Sequence, residues 1–328
     1  MRRFDWADYR TTEFARIDPE NVIAILPTAA IEQHGPHLPV GVDTMIAEGM
    51  LDEVRRLCPD DLDIRILPVQ AVGKSNEHLH ARGTLTLTAE TALGAWREIG
   101  LSVARAGVRK IVIVNSHGGN LDLVSILSRE LRVEAGMLAV KCQWAGFGTP
   151  EGMYSDREIA FGIHGGDRET SLMLHFRPET VDMTKAVDFA STAEGAALSP
   201  IGPLSYGWVA SDLNRDGTVG EAHLATADKG KATAEFQARA FIDLLRTVRD
   251  TVPLGRTSMP LIGIPGDLAA LKARAMDLVG MGGLLPFDAG MAIMGRSDSV
   301  ADTTKAREDL GFAPAPFTDS FKAYAEQM

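Results

Sequence analysis

A chain of 328 residues is long enough for one large domain, with or without an appendage, and 45% hydrophobic with 23% charged residues disfavours a disordered or fibrous protein. The 44 acidic against 33 basic residues give a net charge of −11, which repels phosphate backbones and anionic membranes; the expected partner is a small-molecule substrate, with no nucleic acid and no membrane. Two cysteines outside any CxxC pair argue against a disulfide framework or a cysteine-rich zinc module, and no apolar run of signal or spanning length is visible, so the expected location is cytoplasmic.

The first β-branched run, "NVIAIL" at 21 to 26, is followed by "AIEQHGPHLPVGVD", a Gly/Pro-rich segment from Ala30 to Asp43 suited to neither helix nor strand. Ile46, Met50, Val54 and Leu57 then recur at helical spacing before a second run, "DIRILPV" at 63 to 69. Leu93, Trp96, Ile99 and Val103 mark another helix, leading to "KIVIVN" at 110 to 115, and Leu123, Leu127 and Leu131 a third, leading to "MLAVKCQW" at 137 to 144. These runs read as buried strands. Strand and helix in alternation predict an α/β fold in which a mainly parallel sheet is covered on both faces, a three-layer sandwich.

Further on, "GIHGGDRETSLML" opens a helix, and a longer one is expected over roughly 222 to 250, with Phe236, Phe241 and Leu245 on its apolar face and Pro253 beyond its end. From about 254 the chain turns rich in Gly, Met and Pro, with one helical stretch around Asp267 to Val279. A boundary near Thr251 is expected, dividing a domain of 1–250 from an extension of 251–328 that packs on the domain or on a neighbouring subunit.

In open parallel sheets, reactive loops lie beyond the carboxyl ends of the strands. Glu32, His34 and Asp43 follow the first strand, and carboxylates with imidazoles suit zinc, manganese or iron; an aspartate can also bridge two ions. For this segment alone, a solvated loop is an equal reading. His117, in "NSHGGN" after the third strand, stands beside two glycines that permit close backbone approach, with Asn120 placed to cap the next helix. The alternative there, a phosphate-binding turn, lacks both a lysine and a GxGxxG pattern. His164 precedes a helix whose first turn holds Glu169, where an acid is favoured by the helix dipole alone. Taken together, Glu32, His34, Asp43, His117 and Glu169 offer enough donors, from three strand-end loops, for two ions that would make water a nucleophile at neutral pH.

With "EQHGPHLPVGVD", "HGGN" and "HGGDRETS" present in that order, the sequence resembles the creatininase (creatinine amidohydrolase) family. The likeness extends to "VGKSNEHLHARGTLTLT" at 72 to 88 and "GTVGEAHLATADKGKA" at 217 to 232, covering about residues 4 to 250. It implies a metal-dependent hydrolase of amide C–N bonds on a three-layer α/β fold that assembles as a homo-oligomer, often a hexamer, with zinc or manganese, or else iron, as the two divalent ions. By position, it implies Glu32, Asp43 and His117 around one ion and His34, Asp43 and Glu169 around the other. It also gives His164 the role of donating a proton to the departing nitrogen. Creatinine-cleaving members carry a Glu two residues after the metal-binding His. Gly119 stands there in this chain, which argues against creatinine as substrate and leaves deformylation, peptide processing and sugar-ring hydrolysis open.

Other polar residues near these motifs have plainer readings. His37 is expected to orient a ligand carboxylate rather than bind an ion. Glu77, His78 and His80 either line a substrate pocket or sit on a solvated loop, and His175 and His223 are expected to be structural. Ser171 and Cys142 have no adjacent base in a recognisable motif, so no nucleophilic triad is expected.

Overall fold

The computed structural model describes residues 2–252. The extension from 253 onward, including the helix expected at Asp267 to Val279, lies outside the described residues. Along the chain come α1 (Thr11–Phe14), β1 (Ile23–Thr28), α2 (Val42–Leu57), β2 (Ile64–Ile66), α3 (Ala89–Arg105), β3 (Lys110–Asn115), α4 (Leu121–Ala135), β4 (Leu138–Gln143), α5 (Asp156–Phe161), α6 (Asp167–Phe176), α7 (Ala210–Leu213) and α8 (Ala227–Asp250). The four strands pair in the order β2-β1-β3-β4, all parallel.

The side-chain period of two along a strand builds the layers. Ile23 and Ile25 of β1 and Val112 and Val114 of β3 point to one face, where Met50, Met173 and Phe241 close a core under α2, α6 and α8. Ala24, Leu26, Ile111 and Ile113 point to the other, against Trp96 of α3 and Leu127 and Leu131 of α4. Both faces of β1 and β3 are therefore dry, which is why these strands are apolar without alternation. The expected three-layer α/β architecture is the one observed.

Several local readings change. The second strand is only three residues long, because Pro68 follows almost at once and cannot donate to the ladder. The fourth is an edge strand, half-buried with Lys141 exposed, rather than fully buried. The last helix begins at Ala227, not 222, with Thr226 accepting the Lys229 N–H as its cap; His223 lies in a separate turn, Ala222–Leu224. Phe241 and Leu245 are buried in α8 as expected, but Phe236 is 42% exposed, because it points away from the face that meets α6. Among the described residues no helix is long and apolar enough to cross a membrane.

The strand order decides where chemistry can occur. From β1 the chain crosses to β2 on one side, and from β2 it returns to β3 on the other, so β1 and β3 flank a topological switch point. Loops beyond their carboxyl ends separate there and leave a crevice. A hydrogen bond between Thr28 and Asn115, the last residues of the two strands, ties its floor at 2.9 Å.

Candidate functional site

The segment after β1 bends on Gly35, whose φ of +79° places it in the left-handed region that glycine adopts without strain. This turn sends Glu32 and His34 into the crevice. Asp43, expected in the loop, belongs instead to the first turn of α2, and Glu169 to the first turn of α6. Both carboxylates thus sit at positive helix ends, which favours their charge. His117 enters from the loop after β3. The third contributing segment is not a strand-end loop of the sheet: His164 and Glu169 flank a turn between α5 and α6, at Gly165 with φ +67°.

All five predicted ligands and His164 converge. Glu32, Asp43 and His117 offer donor atoms within 4.8 Å of one another, and so do His34, Asp43 and Glu169; Asp43 is common to both groups. Glu32 with His34 and His164, and Glu32 with Glu77 and His78, form two further groups of this kind. Glu32 and Asp43 are 1% and 2% exposed, so each carboxylate has lost most of its hydration and needs a partner of positive charge.

Main-chain carbonyls fix the orientation of each ring. A carbonyl only accepts, so His34 Nδ1 donates to Glu32 O at 3.0 Å, His117 Nε2 to Lys74 O at 2.9 Å and His164 Nε2 to Gln33 O at 2.7 Å. The opposite nitrogens therefore face the carboxylates: His34 Nε2 stands 3.6 Å from Asp43 and 3.7 Å from Glu169, His117 Nδ1 3.1 Å from Glu32 and 3.4 Å from Asp43, and His164 Nδ1 3.6 Å from Glu32. Glu32 Oε2, Asp43 Oδ2 and His34 Nε2 are buried without a hydrogen-bond partner.

Lone pairs aimed at lone pairs call for positive charge between them. Burial works to strip the proton from His34, but Asp43, Glu169 and Glu32 outweigh it and hold the ring up to about 9. His117 is likewise raised well above the usual imidazole range: desolvation opposes the charge, and Glu32 and Asp43 overcome it. Asp43 is lowered despite its burial because His34 and His117 face it. A divalent cation placed here displaces those ring protons and meets the same donors, so the residues present fit such an ion.

Neighbouring residues depart from expectation. His37 does not orient a ligand carboxylate; its Nε2 lies 3.1 Å from Gly165 O and 2.9 Å from Thr170 Oγ1, and its ring stacks on Phe189, so it pins the turn that leads to Glu169. Burial pushes it down to about 4. His78 is buried: its Nδ1 accepts from the Gln33 amide at 2.8 Å, leaving Nε2 to face Glu32 at 3.4 Å, whereas His80 is exposed. Glu158, which the sequence motifs did not single out, is fully buried and accepts from the Arg168 and Glu221 amides at 3.1 and 2.8 Å. It fastens the start of α6, and glycines at 162, 166 and 220 make room for its carboxylate.

Asn120 does not cap α4 with its side chain. It accepts from Lys74 N at 3.0 Å and donates to Ala29 O at 3.0 Å and Asn115 Oδ1 at 3.1 Å, joining three loops and positioning the carbonyl that receives the His117 proton. Asn120→Ala is expected to leave the Lys74 N–H and Ala29 C=O unsatisfied, at about 1–3 kcal/mol for each group. The check is the urea midpoint, and a value equal to the parent's contradicts this role.

Above the cluster lies a cavity of about 530 Å³. Glu32, Glu77, His78, His117 and His164 form part of its base, and Gly118 and Gly119 one wall; Ile163, Ile201, Tyr206 and Trp208 supply apolar surface. The cavity thus reaches Glu32, His117 and His164 of the cluster.

Comparison with known proteins agrees with this fold. A family profile described as creatininase, creatinine amidohydrolase, matches residues 7–245. The mycofactocin precursor peptide peptidase of Mycobacterium ulcerans (strain Agy99) is 32% identical over 212 residues, 63% of this chain and 78% of that protein. The creatinine amidohydrolase of Pseudomonas putida is 27% identical over 257 residues, 74% and 94% of the two chains. A 3-dehydro-scyllo-inosose hydrolase from Thermotoga maritima is 24% identical over 259 residues, 71% and 80% of the two. Among solved structures, the manganese form of creatininase superposes with a TM-score of 0.61 at 24% identity, covering 76% of this chain and all of that one (100%). A putative creatinine amidohydrolase from Bacteroides fragilis gives 0.65 at 20% identity, with 77% and 99% covered. With the profile spanning the sheet, its covering helices and every residue of the cluster, the chain belongs to the creatininase family of amidohydrolases.

Proposed function

We propose that this protein cleaves the C–N bond of a linear or cyclic amide, or of a formamide, at a centre of two divalent cations. Glu32, Asp43 and His117 would hold one ion and His34, Asp43 and Glu169 the other. The observation that carries this reading is the convergence of three backbone-fixed imidazoles and three carboxylates, among which Glu32 Oε2, Asp43 Oδ2 and His34 Nε2 are buried without hydrogen-bond partners. Zinc or manganese, or else iron, bound there supplies a water of lowered pKa and polarises a carbonyl.

The chain's own groups do the rest. His164 lines the cavity with its Nε2 proton committed to Gln33 O, so Nδ1 is the free lone pair that would take the proton lost by the attacking water and hand it to the departing nitrogen as the C–N bond breaks. His78, oriented by Gln33, holds Glu32 in place through its Nε2. The Gly118 and Gly119 backbone, on the cavity wall, serves the oxyanion that develops on the attacked carbonyl. The space of about 530 Å³ suits a substrate larger than a small heterocycle, in line with a relative named as a peptide peptidase.

Ring opening of a keto-sugar is the second reading, favoured by the Thermotoga relative named as a hydrolase of a keto-cyclitol. A panel of amides, formamides, short peptides, lactones and keto-sugars, run with and without chelator, separates the two. Chelator-sensitive release of amine is the expected result; turnover confined to sugar rings, or indifferent to chelator, overturns the amide assignment. The homo-oligomer that the resemblance implies belongs to the same proposal and is read by light scattering of the full chain.

A further inference from the structure

The turn Asn76–His78, in the long connection after β2, brings two adjacent side chains to the cluster. His78 faces Glu32. Glu77 passes behind His117, with Oε1 3.4 Å from His117 Nε2 and Oε2 3.8 Å from Lys74 Nζ. Its side chain is 12% exposed, so it is ordered against the ring rather than dispersed in solvent.

Gly119 is what admits it. A Cβ at this position would overlap the Glu77 carboxylate and lie 2.5 Å from both His117 Nε2 and the Lys74 carbonyl oxygen. Gly119 has no positive φ, so its missing side chain answers to space and not to backbone conformation. At Gly118, by contrast, a Cβ would meet nothing within 4 Å. Two consecutive glycines thus have different reasons, and only the second is coupled to a charged group forty-two positions earlier in the chain.

We infer that Glu77 and Gly119 are a reciprocal pair in which the absent side chain at 119 lets Glu77 act as a positioning residue for His117. The Nε2–H of His117 donates to Lys74 O and has Ser75 Oγ at 3.3 Å; the Glu77 carboxylate adds negative charge on the same side of the ring. Charge there favours the Nε2–H tautomer, steadies the ring plane and makes Nδ1 a stronger donor toward the cation it shares with Glu32 and Asp43. Glu77 touches no reacting atom in this role. The inference rests on the metal reading above.

The test uses the full-length protein, stripped of metal, titrated with Zn²⁺ against a chromophoric chelator and with Co²⁺ followed by visible absorption. Glu77→Gln keeps the shape and removes the charge; it is expected to weaken Zn²⁺ binding about 10- to 100-fold, with the number of ions unchanged and the Co²⁺ bands shifted. Gly119→Ala displaces the carboxylate and also presses on the His117 ring and the Lys74 carbonyl oxygen, so it should weaken binding at least as much as Glu77→Gln. Glu98→Gln, on the exposed face of α3, is the reference, and melting of each metal-free variant shows whether it folds. The inference is overturned by Glu77→Gln binding within about twofold of the parent, or by loss of a whole ion, which would make Glu77 a direct ligand. A parent protein that binds neither Zn²⁺ nor Co²⁺ instead defeats the metal reading itself.

Discussion

Asp43→Ala is expected to cost the protein both cations and, with them, about 10³-fold or more in turnover of whichever amide the substrate panel identifies. Asp43 is the one residue common to the two donor groups, and it is buried at the start of α2 between His34 and His117. Its removal takes a carboxylate oxygen from each proposed ion at once. A metal ion contributes several kcal/mol to an acyl-transfer barrier, and each 1.36 kcal/mol is a factor of ten, which sets the expected scale. The measurements are metal content by elemental analysis and initial rates on the same preparation. Asp43→Asn separates charge from shape: it keeps the side chain's volume in a buried site while removing the anion. If either variant retains the parent's full metal content, the assignment of Asp43 as the shared ligand is wrong.

Removing metal from the parent protein should be nearly as conspicuous. A cation that binds the folded state and not the unfolded one stabilises by about 4 kcal/mol at a thousand times its dissociation constant. For a domain of this size, each kcal/mol moves the melting temperature by about 2–4 °C, so exhaustive chelation should lower it by on the order of 10 °C. Restoring Zn²⁺ or Mn²⁺ should recover the transition. The physical source is local: Glu32 and Asp43 are buried next to Glu169, and in the metal-free state ring protons and helix N-termini replace a full divalent charge. A melting curve unmoved by chelator, on protein verified to be metal-free, would show that the cluster is built for something other than a cation.

The stability of the arrangement is spread over elements far from the cavity. α6 carries Glu169 and is pinned by His37 from the first loop, by Glu158 from α5 and by α8 beneath it, where Lys229 reaches Asp167 at 2.5 Å. Ser171, unused as a nucleophile, donates to Asp167 at 2.9 Å and accepts from Thr226 N at 3.1 Å, so it serves this same anchorage. These residues explain why the donors stay together although they come from three separate segments.

Much of this protein was determined by local pattern. Runs such as "KIVIVN" can only be strands buried on two faces, and the spacing of Trp96 and Val103, or of Leu127 and Leu131, is that of helices resting on them. Side-chain periods of two and of about four are properties of neighbouring residues, so the layered α/β architecture was legible without coordinates. So was the chemistry of the donors, because Glu32, His34, Asp43, His117 and Glu169 stand in short, distinctive motifs. What only the tertiary structure decided are relations between distant segments: the order β2-β1-β3-β4 that opens the crevice, the ring nitrogen each histidine turns inward, Asn120 as a tie between loops rather than a cap, and Glu77 in the space beside Gly119. No period encodes these, because each depends on which backbone carbonyl or which missing Cβ the folded chain brings alongside from tens of residues away.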